Sequence, residues 1–289
     1  MARNLKWGNK IIRMKRNPII LIISFGLMSA FGQTPKGTEI AKAIKPKELS
    51  TLRKLNNGDA FKPGEVLEYF FHYGIIDAGS ARIELKDEAR TIGGRKIYHV
   101  VGTGKTNRAF DWFFKVRDTY ETFIDAEGVF PWLFIRRVDE GGYIINQDYK
   151  FLQTKDKVDN GKGEMVDAPE YIQDMLSAFY FSRTMDYSKA KKGDIFTIVA
   201  FVDNEVYPLK IKYQGIETIS VREGKFNCMK FYPVVQQGRI FKKEEDMSVY
   251  ITNDKNKIPV LVEAQLLVGS IKMELLSYSG LAHPISKVK

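Results

Sequence analysis

Read for polarity alone, the chain changes character three times. An apolar run from Ile19 to Met28 follows six basic residues (Arg3, Lys6, Lys10, Arg13, Lys15, Arg16) and ends in Ala30-Phe31-Gly32 before Gln33. It is too short to span a bilayer comfortably, and small residues sit three and one before Gln33, so residues 1–32 read as a secretory signal peptide. Gln33 to Asp59 is Lys-rich, carries Pro35 and Pro46, and has no sustained apolar period. This stretch reads as a tether or a short, poorly packed helix near Glu48 to Leu55. From Phe61 onward apolar and polar positions alternate, as in Ala81, Ile83 and Leu85 against Arg82, Glu84 and Lys86. That is the period of a strand with one wet face. It recurs at Val116 to Tyr120, Ile144 to Phe151, Ile195 to Val202, Tyr207 to Tyr213, Val260 to Ala264 and Ile271 to Leu275.

Turn signals such as Gly93-Gly94, Gly141-Gly142, Asp159-Asn160-Gly161 and Asp203-Asn204 separate these runs, and connections this short join antiparallel neighbours. About a dozen strands are expected, as a large curved antiparallel sheet or a half-open barrel or sandwich. One segment breaks the alternation. Asp167-Ala168-Pro169-Glu170 has the form of a capping box with Pro in the first turn, and Ile172, Met175, Leu176 and Phe179 follow at helical spacing. The expectation is a single central amphipathic helix of about four turns lying against the sheet. It either completes the core or forms one wall of an apolar cavity.

Charge and cysteine content refine the reading. The formal net charge of +10 falls to +4 once a leader with six basic and no acidic residues is removed. The remaining Lys and Arg are interspersed with Asp and Glu, which does not make the concentrated basic face of a nucleic-acid protein. Cys228 is the single cysteine, so no internal disulfide can form. No cysteine follows the apolar run for acylation. The mature chain is therefore expected to be a soluble exported protein without a transmembrane segment, periplasmic in a cell with two membranes and extracellular otherwise.

Several segments carry a family resemblance. Phe61-Lys62-Pro63-Gly64-Glu65, Tyr73-Gly74, Ala78-Gly79 and Phe114-Lys115-Val116-Arg117-Asp118 with Asp125 occur in order. So do Asp174 to Arg183, Gly193-Asp194, Asp254, Ile258-Pro259 and Val268-Gly269-Ser270. Together they resemble the exported bacterial family known as domain of unknown function 3108. The resemblance runs over about residues 60–280, leaving 281–289 as a tail. It implies a β-rich fold and an envelope location, and it brings no catalytic residues with it.

The chemical inventory for an enzyme is thin. His72, His99 and His283 have no second ligand at metal spacing, so no metal and no cofactor are expected. In the acidic group Asp111, Asp118, Glu121 and Asp125, Glu121 and Asp125 lie roughly 13 Å apart along one strand, and Asp118 faces the other way. No Gly-x-Ser-x-Gly elbow exposes a serine, Ser177 sits inside the expected helix, and Cys228 reads as a buried thiol. The aromatic cluster Phe110-Asp111-Trp112-Phe113-Phe114 is different. Four large rings in five residues cannot all face one core, so at least one belongs at a rim or a cavity mouth. Phe110, Trp112, Phe113 and Phe114, with Trp132 and Tyr180, are the expected ligand-contacting residues. The functional expectation is a non-enzymatic envelope binding or scaffold protein that takes an apolar, lipid-like ligand or a protein partner. The alternatives are an envelope-glycan hydrolase, pairing Asp118 with a carboxylate from another strand, and a protein-docking module without a pocket.

Overall fold

The computed structural model describes residues 49–55, 58–234, 246–266 and 269–288. The expected leader, residues 1–32, and residues 33–48 of the expected tether lie outside them. The alternating region folds into strands, beginning with β1 (Val66–Tyr73), β2 (Ile76–Leu85), β3 (Arg90–Ile92) and β4 (Arg95–Thr106). A one-turn helix, α1 (Arg108–Asp111), leads into β5 (Val116–Asp125), β6 (Pro131–Glu140), β7 (Tyr143–Leu152), β8 (Lys157–Asp159) and β9 (Met165–Asp167). Helix α2 (Met175–Thr184) precedes β10 (Ile195–Val202), β11 (Glu205–Val221), β12 (Gly224–Pro233), β13 (Met247–Thr252), β14 (Pro259–Gln265), β15 (Ser270–Ser279) and β16 (Lys287–Val288). The strands beyond the expected dozen are β3, β8, β9 and β16. At two or three residues each, they are too short for alternation to reveal.

All sixteen form one antiparallel sheet in the order β10-β11-β12-β13-β14-β15-β1-β2-β4-β5-β6-β7-β8-β9, with β3 attached to β4 and β16 to β12. The path ends at β9 and β10, which do not pair with each other, so the sheet is open. It nevertheless curls back on itself. The turn after β10 reaches β6 and β7 through Arg136 to Asp203 at 2.9 Å and the Tyr149 hydroxyl to Asn204 at 3.1 Å. Just before α2, the Gln173 N–H donates to Val199 O at 3.0 Å and its carbonyl accepts from Phe201 N–H at 2.7 Å, a parallel bridge onto β10.

That bridge explains why the helix starts later than the sequence pattern placed it. Asp167 closes β9, Tyr171 has φ +56°, and residues up to Gln173 follow β10. Asp174 is the actual cap: its carboxylate accepts from Leu176 N–H at 2.7 Å, Ser177 N–H at 2.9 Å and the Thr122 hydroxyl of β5 at 2.6 Å. Ser177 completes the box by accepting from Asp174 N–H at 2.8 Å, taking the place usually held by Glu or Gln. The helix is ten residues long, about three turns.

Leu176 and Tyr180 of α2 are buried against Leu67, Tyr69, Phe134, Phe151, Phe201 and Phe226 on the concave side. A second apolar cluster, Leu49, Leu52, Ile92, Ile97, Phe123, Phe130, Trp132, Leu133 and Ile135, covers the other side of β4 to β6. One expectation is corrected here. Leu49 and Leu52, read as part of a loose tether, are buried because they roof this second cluster. β6 has no wet face along Pro131 to Arg136 for the same reason. The tail is ordered as well: His283 N–H donates to Asn256 Oδ1 at 2.9 Å, and β16 pairs with β12. Among the described residues, no helix is long and apolar enough to cross a membrane.

Candidate functional site

Three consecutive hairpins of the sheet end on one rim, as the pairings Tyr73 with Ile76, Lys105 with Arg117 and Glu140 with Tyr143 require. Polar residues normally occupy such tips. Here the β1–β2 turn presents Ile75, 100% exposed, and Ile76; the β4–β5 connection presents Trp112 at 84%, Phe113 at 64% and Phe114; and the β6–β7 turn presents Tyr143 and Ile144.

The three tips touch one another. Phe110, half-buried and packed on the main core, meets Tyr73 edge-on at 6.3 Å and Phe113 at 5.5 Å, and Phe113 meets Trp112 at 6.2 Å. Phe114 lies over Gly141, where an added Cβ would come within 2.6 Å of its ring and φ is +59°. Only glycine fits that position. The middle tip is also held from below. Asn107 caps α1 by accepting from Phe110 N–H at 2.9 Å, and its side-chain amide donates to Asp77 O of the neighbouring tip. Asp111 accepts from the Thr106 hydroxyl and from both terminal nitrogens of Arg117. The Arg117 guanidinium therefore holds the Asp111 carboxyl below the usual carboxylate range.

Of the six expected contact residues, the rim gathers Phe110, Trp112, Phe113 and Phe114. Trp132 and Tyr180 are corrected to the interior, and both are fully buried. Trp132 packs with Phe130 at 5.4 Å beneath Leu49 and Leu52, while Tyr180 packs under the concave face with its hydroxyl 3.4 Å from Glu65. Ile75, Ile76, Tyr143 and Ile144 escaped the sequence reading. The available signal was apolar residues immediately beside Gly74 and Gly141-Gly142, where a turn should be polar. A separate open groove of about 350 Å³, lined by Asp186, Tyr187, Tyr213, Met229, Asn253 and Lys257 among others, includes none of the six.

The acidic residues disperse. Asp125 binds Arg95 at 2.5 and 2.8 Å, and Glu121 binds His99 Nε2 at 2.8 Å. Asp118 is buried on the concave side, accepts from Asp139 N–H at 3.0 Å, and feels the charge of Glu140 on the adjoining strand. Burial, and then the Glu140 charge, push Asp118 up to about 9. The folded chain thus keeps a proton that the unfolded chain releases near pH 3.8, so stability falls as pH rises from about 4 towards 9. Asp118→Asn removes this loss. The variant's melting temperature should fall less than the wild type's between about pH 5 and 9, whereas parallel melting curves would refute the assignment. Cys228 is buried, with its thiol raised to about 12, so it is unreactive at neutral pH.

The sequence model of the family described as a protein of unknown function, DUF3108, matches residues 68–276. The chain belongs to the DUF3108 family. This DUF3108 chain is also similar to solved structures, among them the following three. The β-barrel-like protein of domain of unknown function DUF1849 from Brucella abortus is 11% identical, with a TM-score of 0.45 over 76% of this chain and 98% of that one. A candidate exported protein with a YmcC-like fold from Bacteroides fragilis is 11% identical, with a TM-score of 0.30 over 76% and 97%. A candidate lipoprotein from Parabacteroides distasonis is 12% identical, with a TM-score of 0.29 over 76% and 98%. No curated protein matches the chain.

Three segments that carry the DUF3108 resemblance meet at one buried ion pair. Arg183, at the end of α2, grips Glu65 of the Phe61–Glu65 segment with both arms, at 2.6 and 2.7 Å. Its Nε donates to Asn256 O at 2.7 Å, and Nη2 to Ala60 O at 3.1 Å. Phe61, Phe179 and Tyr180 surround the guanidinium at 5.2, 5.4 and 5.2 Å. The pair ties the helix, the start of the sheet and the β13–β14 loop together, and it lies away from solvent. It sits at the start of β1, the end of that strand opposite the rim.

Proposed function

We propose that this protein is an exported, non-enzymatic binding or scaffold component of the cell envelope that engages its partner through the apolar rim. The observation that carries this reading is the set of Ile75, Ile76, Trp112, Phe113, Phe114, Tyr143 and Ile144, exposed on three neighbouring hairpin tips of which the middle one is braced. Exposed apolar side chains gathered on three neighbouring tips form a contact surface rather than the scattered apolar residues of an ordinary exterior. The concave side, the other place for an apolar ligand, is packed with Leu176 and Tyr180 from α2.

Cell fractionation tests the reading. The wild-type protein should sediment with envelope material. Ile75→Ser/Phe113→Ser should move to the soluble fraction at equal abundance and unchanged melting temperature, because both side chains are already in solvent. Equal partitioning of the two proteins would remove the rim from the account. The mass of the recovered wild-type protein checks export, since a chain beginning at Gln33 is expected and an intact leader would contradict it.

A further inference from the structure

We infer that the partner of the rim is the surface of an anionic phospholipid bilayer; this rests on the reading of the rim as the contact surface. Shape is the first ground. The apolar side chains stand on the ends of three turns, with Ile75 and Trp112 the most exposed, so they project beyond the strand ends. A folded partner would need a groove matched to three separate tips, whereas a bilayer deforms around whatever enters it.

Composition is the second ground. Trp112 and Tyr143 stand among Phe113, Phe114, Ile75, Ile76 and Ile144, and Trp and Tyr are the residues that settle at the boundary between headgroups and acyl chains. Insertion to that depth, roughly 5–10 Å, needs only the tips and leaves the strands in water.

Charge is the third. Lys105, Arg108 and Lys115 flank the aromatic tip and are exposed, while the acidic residue within it, Asp111, is neutralised by Arg117. Cations set just behind an apolar edge lie at the depth of lipid phosphates once that edge is inserted. The bracing of α1 by Asn107, Thr106 and Arg117 means that little order has to be imposed on binding.

The test uses the gene product as the cell matures it and vesicles of phosphatidylcholine with or without phosphatidylglycerol. Outside the expected leader the tryptophans are Trp112 and Trp132, and Trp132 is fully buried. A blue shift of emission on adding vesicles therefore reports on Trp112. The protein should float with the phosphatidylglycerol vesicles, shift its emission, and lose both responses in high salt. Ile75→Ser/Phe113→Ser should weaken flotation by more than about tenfold. Lys105→Gln/Arg108→Gln/Lys115→Gln should abolish the preference for phosphatidylglycerol. Trp112→Phe should keep flotation and lose the shift. All variants should keep the wild-type urea midpoint. Absence of flotation on either vesicle, or flotation that the serine variant shares, overturns the inference. A photo-crosslinker at position 113 in living cells separates the two levels. If vesicles fail but the rim still directs envelope association and crosslinks to a protein, the bilayer inference falls and the envelope reading stands. If the serine variant also remains in the envelope pellet, both fall.

Discussion

Arg183→Met is expected to lower the unfolding free energy by about 3–5 kcal/mol, because it leaves the Glu65 carboxylate buried without its counter-charge. Glu65 is completely inaccessible, and the Tyr180 hydroxyl, 3.4 Å away, is a poor substitute for two short guanidinium contacts. The companion variant makes the prediction discriminating. Glu65→Leu/Arg183→Met removes both charges, so most of the lost stability should return, as it does when a buried pair gives way to apolar residues of similar size. Urea midpoints of the wild type, both single variants and the double variant complete the cycle. If the double variant is no more stable than Arg183→Met, the backbone contacts to Asn256 O and Ala60 O carry the role assigned here to the ion pair.

The two tryptophans of the described residues give the second large contrast. Trp132→Ala should cost about 3–5 kcal/mol, the usual range for emptying a large aromatic site, because Trp132 fills the second cluster between Phe130 and the Leu49–Leu52 roof. Trp112→Ala should stay within roughly 0.5 kcal/mol. Its ring stands in solvent and packs edge-on against Phe113. Trp132→Phe is a finer probe: the Trp132 indole N–H is buried without an acceptor, so losing it removes an unsatisfied donor along with some packing. Its cost should be well below that of alanine. Similar losses for Trp132→Ala and Trp112→Ala would contradict the division between core and rim.

The long strands were legible because a strand of six or more residues with one dry face prints its period into the sequence. β10, β14 and β15 were found this way. β6 was harder, since the roof over Trp132 and Ile135 erases the alternation from the inside out. The start of α2 was misplaced because Asp167-Ala168-Pro169-Glu170 satisfies every local rule for a cap. What moved the start to Asp174 is the Gln173 bridge to Ala200, a contact with a strand that comes later in the chain. The Glu65 to Arg183 pair spans 118 residues, and no local pattern announces it. Within the rim, Phe110 to Phe114 stood out because four rings crowd five positions. Ile75 and Tyr143 became part of the same surface only once strand order placed their hairpins beside that tip. Trp132 and Tyr180 were grouped with them because a ring looks the same in a sequence whether it faces water or a core.

The central position of β1 has a consequence for when the fold can form. β1 pairs with β2, its neighbour in sequence, and with β15, from Val66 with Ser279 to Tyr73 with Ile271. The two halves of the sheet are therefore joined by a seam between the beginning and the end of the domain. A chain emerging from its N-terminus can build the β2 to β7 meander early, but it must leave one long edge of β1 open until nearly the last strand has arrived. Such non-local closure makes for slow folding, and a polypeptide that stays unlocked until its C-terminal strands appear can be threaded through a narrow channel before its shape is sealed.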